Sequence, residues 1–284
     1  MNLIRRLIGA VIFALCLNGA AADSVVASAS SIEQAHQLTL SRERLAAAEV
    51  LKSAIDEIKN ADSINQEALE KHKRALVRIS RVFYGQNAQK EFELAESLYF
   101  SKNPRSLSHY EQALRLEPKN VTILIGLMRD LLSREECRRA LEVYEQISEM
   151  SPYDIEVRYF HWLALLCQEK GGAPQISRDL LEDEEVGPFA QIAHLHWKTL
   201  NDMELNKENI LDIQRRLKDF PEAYYYLHLI AKEDEIINLD FARRYLELCR
   251  RSGSAERRRF NLIPHLCRHK NELEADIRAM EGGQ

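Results

Sequence analysis

Apolar residues recur along this chain at helical rather than strand spacing. Leu45, Val50, Leu51, Ile55 and Ile58 mark one face of a long helix predicted over Ser31 to Asn60, with Glu and Lys on the other face. Asp62 or Ser63 is placed to cap a second helix, in which Leu69, Leu76, Val77, Ile79, Val82 and Phe83 recur before Tyr84-Gly85 ends it. These two helices read as an N-terminal hairpin. From Asn87 onward the pattern repeats on a longer scale. Pro118, Pro152, Pro188 and Pro221 lie 34, 36 and 33 residues apart, each after a stretch that reads as the second helix of a pair. A period of this size signals stacked helical hairpins. Proline suits such a boundary, because it lacks an N–H and disfavours helix in the residue before it. No run of alternating β-branched residues argues for strands.

The clearest copy runs from Val121 to Asp154. Leu124, Leu127, Met128 and Leu131 mark its first helix, and Ala140, Tyr144, Ile147 and Pro152 its second. Ser106, Tyr110, Ala113 and Pro118 occupy the same four marker positions 34 residues earlier. The first helix of that earlier copy carries Phe92, Leu94, Ala95, Leu98 and Tyr99, with Asn103-Pro104 in the turn. Large apolar residues, then a small residue, an aromatic and a terminal proline: this resembles the tetratricopeptide repeat. Packing explains the pattern, since the small residue lets two helices approach and the aromatic fills the gap to the next hairpin.

Later copies are degenerate. Tyr159, Trp162, Leu163 and Leu166 fit a first helix, Gly171-Gly172 a turn, and Ile176, Leu180 and Leu181 a second helix before Pro188. Phe189, Ile192, Leu195 and Trp197 begin the next hairpin, which Ile210, Ile213, Leu217 and Phe220 complete. Tyr224 to Ile230 opens a last copy that finishes with Ala242, Leu246, Cys249 and Ser254. The expected fold is therefore all-α. The resemblance implies a right-handed solenoid of about five hairpins over residues 87–254. It lies behind an N-terminal helical segment at 23–86 and before a capping helix within 255–284.

Composition adds a compartment. Arg5-Arg6, an apolar run from Leu7 to Leu17 and Ala20-Ala21-Ala22 form a cleavable signal peptide over residues 1–22. The apolar run is well short of the roughly 20 residues of a membrane span, so an uncleaved inner-membrane anchor is the alternative. Cleavage removes two arginines and no acid, which takes the formal charge from −5 to −7. That acidity argues against general nucleic-acid binding. The expected location is the bacterial periplasm.

Four cysteines remain after cleavage: Cys137, Cys167, Cys249 and Cys267. A helical stack of this size does not need disulfides for its core, so they read as single buried thiols. If a pair forms, the first choice is Cys137 with Cys167, whose helix ends antiparallel packing would bring together.

Candidate chemistry is sparse. Glu96-Ser97 and Gly126-Leu127-Met128 resemble two motifs of the soluble lytic transglycosylases, which cleave peptidoglycan with a glutamate acting as acid and base. Here the interval is too long and the third motif is absent, so a cell-wall enzyme, or an accessory subunit of one, stands as the alternative. His265 and His269 share a helix face at a spacing that suits a metal, but no acidic third ligand lies nearby, and His194 and His196 diverge. No cofactor or metal is expected. The runs Arg250-Arg251 and Arg257-Arg258-Arg259 suit anionic lipid headgroups or an acidic partner, and Glu182 to Glu185 forms an acidic run; solvated faces explain both more simply.

Tetratricopeptide proteins receive peptides on the surface lined by their first helices. The resemblance places Arg129, Tyr159, Trp197 and Tyr226 on that surface; Tyr159, Trp197 and Tyr226 would be core if the register shifts by one. The expected function is a non-catalytic scaffold or adaptor that holds a protein or peptide partner in the envelope. The family supplies the settings of assembly, secretion or polysaccharide export.

Overall fold

The computed structural model describes residues 30–168, 176–233, 239–264 and 266–282. The expected signal peptide, the Gly171-Gly172 turn and His265 lie outside them. Among the described residues there are helices and turns and no strand. No described helix is long and apolar enough to cross a membrane. The chain divides into two compact units, one running to Tyr84 and including Asn120–Thr122, the other comprising Gly85–Lys119 and Ile123–Gln284.

The first unit has three helical stretches: α1 (residues 30–40), α2 (Arg44–Asn60) and α3 (Gln66–Arg81). The single long helix expected over Ser31 to Asn60 is interrupted. Arg42 takes a left-handed φ of 64°, and Glu43 N–H donates to Leu38 O at 2.8 Å, which terminates α1. The buried stripe of α2 is built from Ala47, Ala48, Leu51, Ala54 and Ile55, and Leu45 is exposed. Three alanines let α2 lie close against Ala68, Leu69 and Leu76 of α3. The cap of α3 is Asn65 rather than Asp62 or Ser63; its side chain accepts from Ala68 N–H at 3.0 Å. Buried His72 sits 2.7 Å from Ala68 O through Nδ1 and 2.8 Å from Ser31 Oγ through Nε2. That geometry makes Nδ1 the donor and the Ser31 hydroxyl the donor to Nε2.

The second unit is a succession of helix pairs. They are α4 (Gln86–Phe100) with α5 (Ser106–Leu116), α6 (Val121–Ser133) with α7 (Cys137–Ser148), and α8 (Ile155–Gln168) with the short α9 (Arg178–Glu182). Next come α10 (Gly187–Leu200) with α11 (Lys207–Arg216) and α12 (Pro221–Glu233) with α13 (Leu239–Arg251). Helices adjacent in sequence pack against one another from α7 to α13, and α4 packs on α5. Turns between helices close through residues in left-handed conformation, among them Lys102, Lys119, Glu135, Asp202 and Asp219. Pro118 and Pro152 follow the helices they were expected to stop, whereas Pro188 and Pro221 open α10 and α12. Both placements satisfy proline, because the first helical residues have no intrahelical acceptor for an N–H.

Packing at the marker positions is tight. A Cβ on Gly126 would meet Tyr110 Cε1 at 2.5 Å and Phe92 Cε2 at 3.1 Å, so this glycine seats the aromatic of the preceding pair. Tyr144 of α7 stacks on His161 of α8 with ring centroids 3.6 Å apart. Leu94, expected on the apolar face of α4, is exposed.

After α13 the expected capping helix is absent as one element. In its place are the short α14 (Ser254–Arg259), an irregular stretch, and α15 (Lys270–Gly282), which packs on α13. The four cysteines are not single thiols: Cys137 is bonded to Cys167 and Cys249 to Cys267, each pair with Cα atoms 5.7 Å apart.

Candidate functional site: a C-terminal strap between two cavities

Residues 254–264 and 266–269 run back over the first helices of the second unit, and we call this segment the strap. α14 packs on α4, where Arg257 Nη1 donates to Phe100 O at 2.8 Å and the Arg258 guanidinium lies 5.9 Å from the Phe100 ring. Phe260 is buried 4.9 Å from the Phe220 ring, and the Tyr159 hydroxyl donates to Leu262 O at 2.9 Å. Cys267 is joined to Cys249 of α13, and its N–H donates to a carboxylate oxygen of Glu222 on α12. His269 closes the segment by stacking on Tyr225 at 3.6 Å. Beyond the short α14, the strap is thus a tether of backbone bonds, single side chains and one disulfide without a regular helix.

Two cavities flank it. The larger, about 550 Å³, is walled by Tyr159, Trp197, Tyr226, Leu163, Ile192 and the Cys137–Cys167 disulfide, with Glu135, His196, Asn201, Glu222 and Arg268 as its polar groups. The smaller, about 390 Å³, is walled by Tyr99, Phe100, Ser106 and Asp130 together with Lys102, Arg134 and Arg257. Ile263, Pro264 and Arg268 of the strap contribute to both.

No family model, no curated protein and no solved structure matches this chain. Its chemistry has to be read from its own residues.

The four residues expected to line a groove are placed as follows. Tyr159 and Tyr226 are buried, each with one edge on the larger cavity. Trp197 is half-buried and lines the same cavity, so these three come together. Arg129 does not join them. It is 3% exposed and pairs with Glu96 and with the Tyr110 hydroxyl, and its guanidinium lies 4.6 Å over Tyr99 and 5.2 Å over Phe100. The Tyr110 hydroxyl itself donates to Glu96. Glu96 is therefore an ion-paired brace between α4, α5 and α6. Burial pushes the Tyr99 phenol up to about 12, and keeps it a neutral hydrogen-bonding group.

The arginine runs are divided rather than pooled. Arg250 is exposed, and Arg251 pairs with Glu247. Arg257 serves α4, while Arg258 and Arg259 are exposed and lie over Phe100 and Phe260. In the acidic run, Asp183 Oδ1 accepts from Val186 N–H at 2.8 Å and turns the chain into α10. His269 and His196 approach with ring centroids 5.7 Å apart, but among the described residues no three His, Cys, Asp or Glu side chains are grouped to hold a metal ion.

Glu222 is the residue that sequence reasoning missed. It lies 3% exposed beneath the strap, and burial pushes its carboxyl up to about 7, partly offset by the Cys267 N–H and by Arg268 and Lys102. The one available signal was Glu222 following Pro221 at the start of a helix, where an acid also suits the exposed N–H groups. That position offered no hint of burial.

Proposed function

We propose that this chain is a non-catalytic binding protein, a helical-repeat scaffold or adaptor of the tetratricopeptide type exported to the bacterial periplasm. One observation carries the reading: the larger cavity gathers Tyr159, Trp197 and Tyr226 beside the strap, with few polar groups among apolar walls. Aromatic residues around a partly enclosed apolar space suit an apolar side chain presented by a partner protein. The two disulfides support export, since such bonds persist in oxidising compartments. The serial helix pairs support the solenoid reading.

Cross-linking of the tagged protein in cells, followed by identification of what it carries, tests this reading. A parallel sample carries Trp197→Ala. We expect a specific envelope protein to be lost from the variant while its helical content is unchanged. A partner captured equally by both would remove the cavity from the interface, and capture of none would defeat the adaptor reading.

Glu222 favours a second reading, a cell-wall enzyme or an accessory subunit of one. A carboxyl held near neutrality beside a cavity has the property required of a general acid. Release of soluble fragments from purified peptidoglycan, abolished by Glu222→Gln, would support it; no release by the unaltered protein would dismiss it.

A further inference from the structure

The smaller cavity has a charge imbalance that the adaptor reading does not use. Four cationic side chains reach it: Lys102, Arg134, Arg257 and Arg268. Only Arg134 is neutralised, its Nε lying 2.9 Å from Asp130 Oδ1. Asp130 is the one acid of the wall, and it also accepts from Ser106 Oγ at 2.6 Å. Among the described residues no ion pair involves Lys102, Arg257 or Arg268, of which Lys102 and Arg268 are exposed, although Arg257 gives one N–H to Phe100 O. Glu222, across the strap, is buried and already accepts from Cys267 N–H.

Lys102 and Arg257 repel one another at this cavity, while buried Glu222 attracts Lys102 and Arg268 from across the strap. Lys102 registers this: burial, then Arg257, then Lys270 lower its pKa, with only Glu222 acting the other way. Its backbone is fixed, although the side chain is exposed. The turn that carries it closes with Lys102 N–H on Tyr99 O at 2.9 Å and Asn103 N–H on Leu98 O at 2.8 Å. Between the cations the walls are apolar, formed by Phe100, Ile263, Pro264 and Leu266.

We propose that this cavity is a binding site for a small molecule bearing a phosphate or carboxylate beside a compact apolar group. Arg257 and Arg268 present planar donor forks suited to two oxygens of one anionic group, and Lys102 adds a compact charge. The apolar wall takes the organic portion. This site does not rest on the adaptor reading, because Trp197 lines the other cavity.

Calorimetric titration and thermal unfolding of the disulfide-intact chain test it, at constant ionic strength, with sodium phosphate, phenyl phosphate, benzoate and benzyl alcohol as probes. We expect saturable binding of at least one anionic probe, with phenyl phosphate tighter than phosphate and benzyl alcohol silent. Binding of benzoate without phosphate would assign the site to carboxylates, still as an anion site. Lys102→Gln with Arg268→Gln should weaken binding at least tenfold. Without ligand the double variant should melt close to the unaltered protein, since both side chains are exposed and lose only the longer-range field of Glu222. Absence of saturable binding up to about 10 mM, well above a millimolar dissociation constant, would overturn the proposal. So would unchanged affinity in a folded double variant, or equal binding of benzyl alcohol. If the double variant fails to fold, Lys102→Gln alone carries the same comparison.

Discussion

The two cavities beside the strap share Ile263, Pro264 and Arg268, yet their chemistry is opposite. The larger is aromatic and contains a buried acid; the smaller is cationic and its acid is already paired. One irregular segment serves both, so the difference comes from the helical walls. On the larger side α8, α10 and α12 present Tyr159, Trp197, Tyr226 and Glu222. On the smaller side the turn after α4 and the end of α6 present Lys102 and Arg134. Successive helix pairs of similar length can therefore offer different ligands along one unit, because packing constrains their inner residues and leaves the turns free.

The sharpest way to break this comparison is Arg129→Ala. It leaves Glu96 and Tyr110 without their cation and removes the platform under Tyr99 and Phe100, which wall the smaller cavity. Loss of one partner from a buried pair costs about 3–5 kcal/mol, so the urea midpoint should fall steeply. A midpoint close to that of the unaltered protein would contradict the bracing role. Next in size is Cys249→Ser with Cys267→Ser, which frees the strap from α13. A crosslink spanning 18 residues contributes about 3 kcal/mol, and both cavities should lose their ligands together. Separate survival of one binding activity would show that the strap is held there without the disulfide.

Glu222→Gln changes the acid of the larger cavity, whose field also reaches Lys102 and Arg268. The carboxyl rises from 4.5 to about 7 on folding, so the folded protein binds the proton more tightly. Its contribution to stability is complete below pH 4.5 and is lost as pH rises through about 7, up to about 3 kcal/mol. Urea midpoints from pH 4.5 to 7.5 should fall more in the unaltered protein than in the glutamine variant. Parallel curves would show that this proton is not taken up. The mildest change is Tyr159→Phe, which deletes the hydroxyl bond to Leu262 O and should cost about 1 kcal/mol. Amide exchange confined to the strap should rise; a global loss instead would make Tyr159 a general core residue.

Much of the helical plan was legible in the chain, and the reasons are local. Leu124, Leu127, Met128 and Leu131 carry a 3.6-residue period that only a helix satisfies, and α6 lies where they predict. The prolines marked inter-helix turns but not which side of the turn they fall on, since proline suits both the residues after a helix and its first turn. The break at Arg42 was hidden, because the left-handed turn there uses arginine rather than glycine. Arg129 looked like a groove residue, yet four partners on α4 and α5 draw it inside. The strap was the least readable. It has no period, and its contacts join residues 103 and 157 positions apart. Nothing in a local window signals such a bond.

Those separations bear on how the molecule is made. Ribosomes emit the strap after the helices that receive it, and contacts of long sequence separation form slowly because distant ends must first meet. Until then the rings of Tyr159 and Phe220 lack the cover that Leu262 and Phe260 supply. The newborn chain is accordingly adhesive until the strap has been made and docked. Docking of the strap is the step that ends that interval, and oxidation of Cys249 with Cys267 makes it durable.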